Sequence, residues 1–150
     1  MKKTIFSLLG IFAFLIFSHL NAFACNCPTV IGVEQELKWK LKQLAAVFSG
    51  KVIEINKIPQ SRDVSVKIEV KEIWKGLLSK EANIATPEHT GACGVSFEVG
   101  KSYLVFASHS AEGNLITGLC LNDKELEKAS EELEILGKGK KPKSNKSSSK

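Results

Sequence analysis

The chain has 150 residues, 43% of them hydrophobic, which excludes a wholly disordered chain and suits one domain with a modest core. Its net charge of +5 is uneven: residues 25–136 carry 13 basic and 16 acidic side chains, whereas residues 137–150 add six lysines and no acid. The globular part is therefore mildly acidic, which sets nucleic acid aside as its partner.

The chain opens on a secretory-signal pattern. Lys2 and Lys3 precede an almost wholly apolar run over residues 5–17, and Ala22-Phe23-Ala24 is a small-x-small cleavage site. The run is shorter than the roughly 20 residues that span a bilayer. Residues 1–24 are expected to be a signal peptide, cleaved to leave an exported protein, periplasmic or extracellular, with no membrane span and with Cys25 as its first residue. Acylation of Cys25 is the competing fate, although Ala22 and Phe23 stand where a lipoprotein signal would carry a leucine and a small residue.

Cys25, Cys27, Cys93 and Cys120 all follow that site. An even cysteine count in an oxidising compartment favours two disulfides, with three pairings open. A four-thiolate metal site would need the paired spacing of zinc ribbons, which Cys-x-Cys followed by two single cysteines lacks.

Val33, Leu37, Leu41 and Leu44 recur at helical spacing among Glu and Lys, which predicts an amphipathic N-terminal helix. Residues 46–55 read as a strand. Residues 63–70 alternate strictly, with Val64, Val66, Ile68 and Val70 on one face. Pro59-Gln60-Ser61 supplies the turn of an antiparallel hairpin whose second strand runs on through Trp74 toward Gly76. Shorter strands are expected at 83–86, 103–107 and 114–117. Asn122 then reads as an N-cap with Glu125 three residues on, and Leu126, Ala129, Leu133 and Leu136 predict a C-terminal helix ended by Gly137. Residues 137–150, rich in Lys, Ser and Gly, are expected to form a disordered basic tail. A mainly β chain of five short strands between two helices suggests a partly open, five-stranded barrel of oligonucleotide/oligosaccharide-binding (OB) type.

No enzyme chemistry is indicated, and no cofactor of its own. His89 and His109 fall in expected loops, and adjacent residues such as Ser108 and His109 do not present a nucleophile and its base at working geometry. Cys-x-Cys is not the Cys-x-x-Cys of a thiol-disulfide oxidoreductase.

Read together, Cys25-Asn26-Cys27-Pro28, Val47-Phe48-Ser49-Gly50-Lys51-Val52, Trp74-Lys75-Gly76, the stretch from Ala92-Cys93-Gly94 through Gly100-Lys101-Ser102-Tyr103-Leu104-Val105, and Cys120 resemble the N-terminal, netrin-like domain of the tissue inhibitors of metalloproteinases. The resemblance is to the shorter form met in bacterial exported proteins, and it covers nearly all of residues 25–136. It implies an OB-type netrin domain over those residues and the pairing Cys25–Cys93 and Cys27–Cys120. It also implies a secreted, monomeric inhibitor whose partner is a zinc metalloprotease. In that family the mature N-terminal cysteine displaces water from the open position of the protease's catalytic zinc, chelating it through its α-amine and carbonyl. Cys25 would take that role, and Asn26 would point into the primed-side pocket, where the animal inhibitors usually carry Thr or Ser. Cys27, Pro28, Ala92, Cys93 and Gly94 would complete the protease contact. The family's third N-terminal disulfide and its C-terminal domain have no counterpart here. The alternative on the same fold is a non-inhibitory netrin-like module at the cell envelope, recruiting a protein or glycan through its loops and indifferent to a residue ahead of Cys25.

Overall fold

The computed structural model describes residues 25–27, 32–76 and 79–142; the expected signal segment, Pro28 and residues 143–150 lie outside the described residues.

Helix α1 (Val33–Gln43) carries Glu34 and Glu36 in its first turn and Lys40 and Lys42 in its last, each sign matched to the helix dipole. It buries Leu37 and also Lys40, which the amphipathic pattern leaves on the polar side. Lys40 is only 3% exposed, its Nζ 2.7 Å from Glu36 Oε1 and 3.9 Å from the centre of the Phe106 ring. An ion pair and an aromatic face together offset the cost of burying that ammonium.

Strands β1 (Ala46–Lys57) and β2 (Asp63–Lys75) form the expected hairpin, and β3 (Glu81–Pro87) runs antiparallel to β2. Strand β4 (Ser102–His109) returns to pair with β1, and β5 (Leu115–Ile116) lies antiparallel to β4. A single parallel pair, Ala85 with Ile116, joins β5 to β3. The order β1-β2-β3-β5-β4 thus returns on itself through the β1–β4 pairing, making a ring of five strands.

Strand β1 serves two neighbours by bending. Register shifts fall between Val47 and Phe48, Ser49 and Gly50, and Val52 and Glu54, where bulges raise the local twist. Gly50 sits at this bend because a Cβ there would lie 2.5 Å from Ile68 Cγ2 and 2.6 Å from Glu69 O.

Alternation along β1 and β4 divides the core in two. Ala46, Phe48, Val52, Tyr103, Val105 and Ala107 share one cluster with Val66, Ile68, Val70 and Ile84. Val47, Leu104 and Phe106 share the other with Leu37 and Leu44 from the α1 side and Ala129 beside the C-terminal helix. Covered on both faces, the middle of β4 is buried from Tyr103 to Ala107, and its sequence reads as a continuous apolar run.

The C-terminal helix is shorter than its sequence pattern. Asn122 is not its N-cap: with φ 60 it closes a 3-10 turn over Leu119–Leu121. Lys124–Glu125 form a sixth short strand, β6, paired with Leu104 and Tyr103, and only Ser130–Leu136 is α-helical (α2). The edge of β4 offers backbone partners that a free helical turn would lack, and that pairing outweighs the local periodicity. Leu126, Leu133 and Leu136 still pack on the helix-side cluster, as their spacing requires.

Beyond α2, residues 137–142 run along β2. Lys140 and Ile73 exchange two N–H···O bonds of 2.8 Å, and Trp74 Nε1–H donates to Gly137 O at 2.8 Å. Replacing Trp74 by Phe removes that bond while keeping most of the apolar packing. Urea unfolding should show a loss of about 1 kcal/mol, and an unchanged midpoint would show that the indole bond contributes nothing.

Candidate functional site

Two loops at one end of the ring receive the disulfides. The first follows β3: a 3-10 turn over Thr90–Ala92 ends in Cys93, held at φ 67. Cys93 N–H donates to Thr90 O at 2.9 Å, and Gly94 N–H donates to His89 O at 3.1 Å. Gly94 lets this loop fold back on the end of β3, since a Cβ would lie 1.9 Å from Pro87 O. Val95 N–H then donates to Oγ1 of buried Thr86 at 3.0 Å, locking the exit.

The second loop follows β5 and contains the 3-10 turn with Cys120. Leu119 N–H donates to Cys93 O at 2.8 Å, so the two loops are joined directly. Gly118 faces the same carbonyl, 3.0 Å from where its Cβ would be.

Disulfides Cys25–Cys93 and Cys27–Cys120 lay the N-terminal segment across these two loops, one anchor on each. Of the three pairings open to the sequence, this is the one the family resemblance implies. Cys25 Sγ also lies 3.9 Å from Thr90 O. Cys25 is half-buried, while Asn26, Cys27 and Ala92 are exposed. Cys25, Asn26, Cys27, Ala92, Cys93 and Gly94 therefore gather at one place, and Pro28 lies outside the described residues. Leu119, 45% exposed, adds an apolar side chain next to Cys120.

The root of the second loop is a polar knot on β4. Asp123 Oδ1 accepts Phe106 N–H at 2.7 Å, and Oδ2 lies 2.8 Å from Thr117 Oγ1. The same hydroxyl lies 2.9 Å from Phe106 O. Burial pushes the Asp123 carboxyl up to about 7, against the opposing pull of the Phe106 and Thr117 bonds. Sequence reasoning passes over Thr90, Thr117, Leu119 and Asp123, for none stands in a pattern that marks it; a glycine beside a cysteine at Gly118 and Gly94 is the faint signal available.

Elsewhere, His89 is exposed and His109 Nδ1 lies 3.0 Å from Gly113 O. Among the described residues no group of three or more His, Cys, Asp and Glu side chains is arranged to hold a metal ion. No helix among them is long and apolar enough to cross a membrane. No protein-family model matches the chain, and no curated protein sequence matches it.

Proposed function

We propose that residues 25–136 are a netrin-like domain of OB type, related to the tissue inhibitors of metalloproteinases, and that the exported protein inhibits a zinc metalloprotease through Cys25. The observation that carries this reading is the double tether: Cys25 and Cys27 are each bridged to a loop, and the two loops are hydrogen-bonded to each other. A three-residue segment held at both ends loses little conformational freedom when a partner docks on it.

Cleavage after Ala24 frees the Cys25 α-amine. Its nitrogen and the carbonyl oxygen of the same residue close a five-membered ring on a metal, filling the position that a catalytic zinc keeps open for water. The sulfur, engaged in the bridge to Cys93, leaves those two atoms as the ligands. Asn26 enters the neighbouring pocket, and its amide selects a protease that offers polar partners there, because an unpaired amide in an apolar pocket is costly. Ala92, Cys93 and Gly94 form the second rim of the contact.

The amine binds zinc only when neutral. With an α-amine pKa of about 7.7 to 8.0, affinity should fall about tenfold per pH unit on acidification below 7. The test is an inhibition titration of a zinc endopeptidase between pH 7 and 5.5, made with exported protein characterised by intact mass and N-terminal sequencing. An unblocked Cys25, a mass short by the four hydrogens of two disulfides, and the acid-weakened inhibition support the reading. An acylated Cys25, or inhibition indifferent to pH, overturns it.

A further inference from the structure

Thr117 has one hydroxyl proton and two acceptors within reach. Its Oγ1 lies 2.9 Å from Phe106 O and 2.8 Å from Asp123 Oδ2, while Asp123 Oδ1 is occupied by Phe106 N–H. With an ionised Asp123, one of those two oxygen–oxygen contacts has no proton in it. With a neutral acid every contact is filled: Asp123 Oδ2–H donates to Thr117 Oγ1, Thr117 donates to Phe106 O, and Phe106 N–H donates to Asp123 Oδ1. The three contacts among these three groups are all filled only when the carboxyl carries a proton.

This knot is three residues from Cys120, in the loop to which Cys27 is bridged and which holds Cys93 O through Leu119. We propose that Asp123 is a positioning residue that keeps a proton in the folded protein, and that this proton locks the Cys120 loop and makes the seating of the N-terminal segment pH-sensitive. Ionisation releases one contact of the knot and loosens the loop that holds the segment.

The surrounding charges do not relieve the carboxyl. Lys40 of α1 is the positive charge that reaches it, acting against proton retention, but its ammonium is engaged by Glu36. Lys124, next in the chain, is paired with Glu132 of α2. Tyr103, Glu125 and Lys128 line a cavity alongside Asp123, with Lys128 Nζ 3.3 Å from Glu125 Oε2. From β4 the Phe106 backbone N–H donates to the carboxyl. The upward displacement to about 7 agrees with this geometry.

The sign follows from the two states. An unfolded Asp releases its proton near 3.9, whereas the folded one holds it to about 7. The native state binds the extra proton between those values, so this contribution to stability is complete below about pH 4 and is lost as the pH rises to about 7. Asp123→Asn preserves the knot without titrating, since its Oδ1 accepts from Phe106 and its Nδ2 donates to Thr117.

The experiment compares thermal unfolding of the oxidised wild-type protein and Asp123→Asn from pH 4 to 8 at constant salt. The wild-type midpoint should fall relative to the variant by more than about 5 °C between pH 4 and 7; parallel curves would overturn the proposal. Carboxyl-carbon NMR of the wild type reads the same group without a variant: a midpoint near 7 is expected, and one below 5 overturns it. Amide exchange at Leu119, corrected for its intrinsic pH dependence, should accelerate above pH 7 in the wild type and not in Asp123→Asn; equal rates would separate the proton from the loop and refute the positioning role. The consequence for protease binding rests on the inhibitor reading: an alkaline loss of inhibition in the wild type should be absent from Asp123→Asn. A protein that inhibits nothing at any pH counts against that reading alone, because titration and exchange decide the role of Asp123.

Discussion

On the proposed chelation, one alanine placed ahead of Cys25 should abolish inhibition, raising the inhibition constant at least about a thousandfold, or about 4 kcal/mol. The effect is large because the change is chemical. An α-amine with a lone pair becomes an amide nitrogen that cannot coordinate zinc, and the five-membered chelate is lost with it. The added methyl and peptide group also occupy the space that the metal would take. The fold should be untouched, because no described hydrogen bond uses the Cys25 nitrogen and both bridges form through sulfur. Unfolding midpoint and intact mass, apart from the added residue, should therefore match the unextended protein. An extended protein that inhibits as well as the original would end the chelation mechanism and favour an envelope module that binds its partner through the loops.

Removing the second bridge, by replacing both Cys27 and Cys120 with Ser, should cost about 4 to 5 kcal/mol of stability. The bridge spans 93 residues, and constraining so long a loop in the unfolded chain is worth about that much on chain-entropy grounds. For a domain whose total stability is about 5 to 15 kcal/mol, the loss amounts to about a quarter or more. Guanidinium unfolding would measure it. Replacing both partners avoids leaving a free thiol that could exchange with Cys25–Cys93. A loss below about 1 kcal/mol would mean that the loops are held by their own hydrogen bonds and that the bridge serves only to position the N-terminal segment. On the proposed inhibitor reading, inhibition should also weaken, since Asn26 loses its second anchor while the bridge at Cys25 remains.

The parts of the fold legible in sequence are those whose side chains alternate against a single boundary. Residues 63–70 present Val64, Val66, Ile68 and Val70 to the core and polar groups to the other side, and the β1–β2 hairpin follows from them. Helix α1 was equally plain except at Lys40, whose burial depends on Phe106, a residue 66 positions away that no local pattern brings near. Periodicity misled at residues 122–129. Leu126 and Ala129 do face the core, but a 3-10 turn over Leu126–Lys128 and the β6 pairing satisfy the same apolar spacing without an α-helix. Ring closure through one residue pair, Ala85 with Ile116, is below what any pattern of side chains encodes.

At the candidate site the cysteines were conspicuous and their pairing followed the family resemblance. The loops that receive them were less so. Gly94 and Gly118 could be counted as turn residues, but the carbonyls they approach, Pro87 O and Cys93 O, come from tertiary structure. Asp123 is less visible still. One aspartate among polar neighbours gives no sign that its carboxyl is turned inward onto the β4 backbone.

The span of the bridges also sets an order of assembly. Cys25 and Cys27 precede their partners by 68 and 93 residues, so in a chain emerging N-terminus first they are the earliest cysteines and the last to find their mates. The β1–β4 pairing, which joins residues 46–51 to 102–107, likewise waits for most of the chain, and such distant contacts make folding slow. A non-native bridge formed early must be reshuffled, over seconds to hours. The segment of residues 25–27 is thus the final piece to be set, and its seating certifies that everything through Cys120 has already arrived.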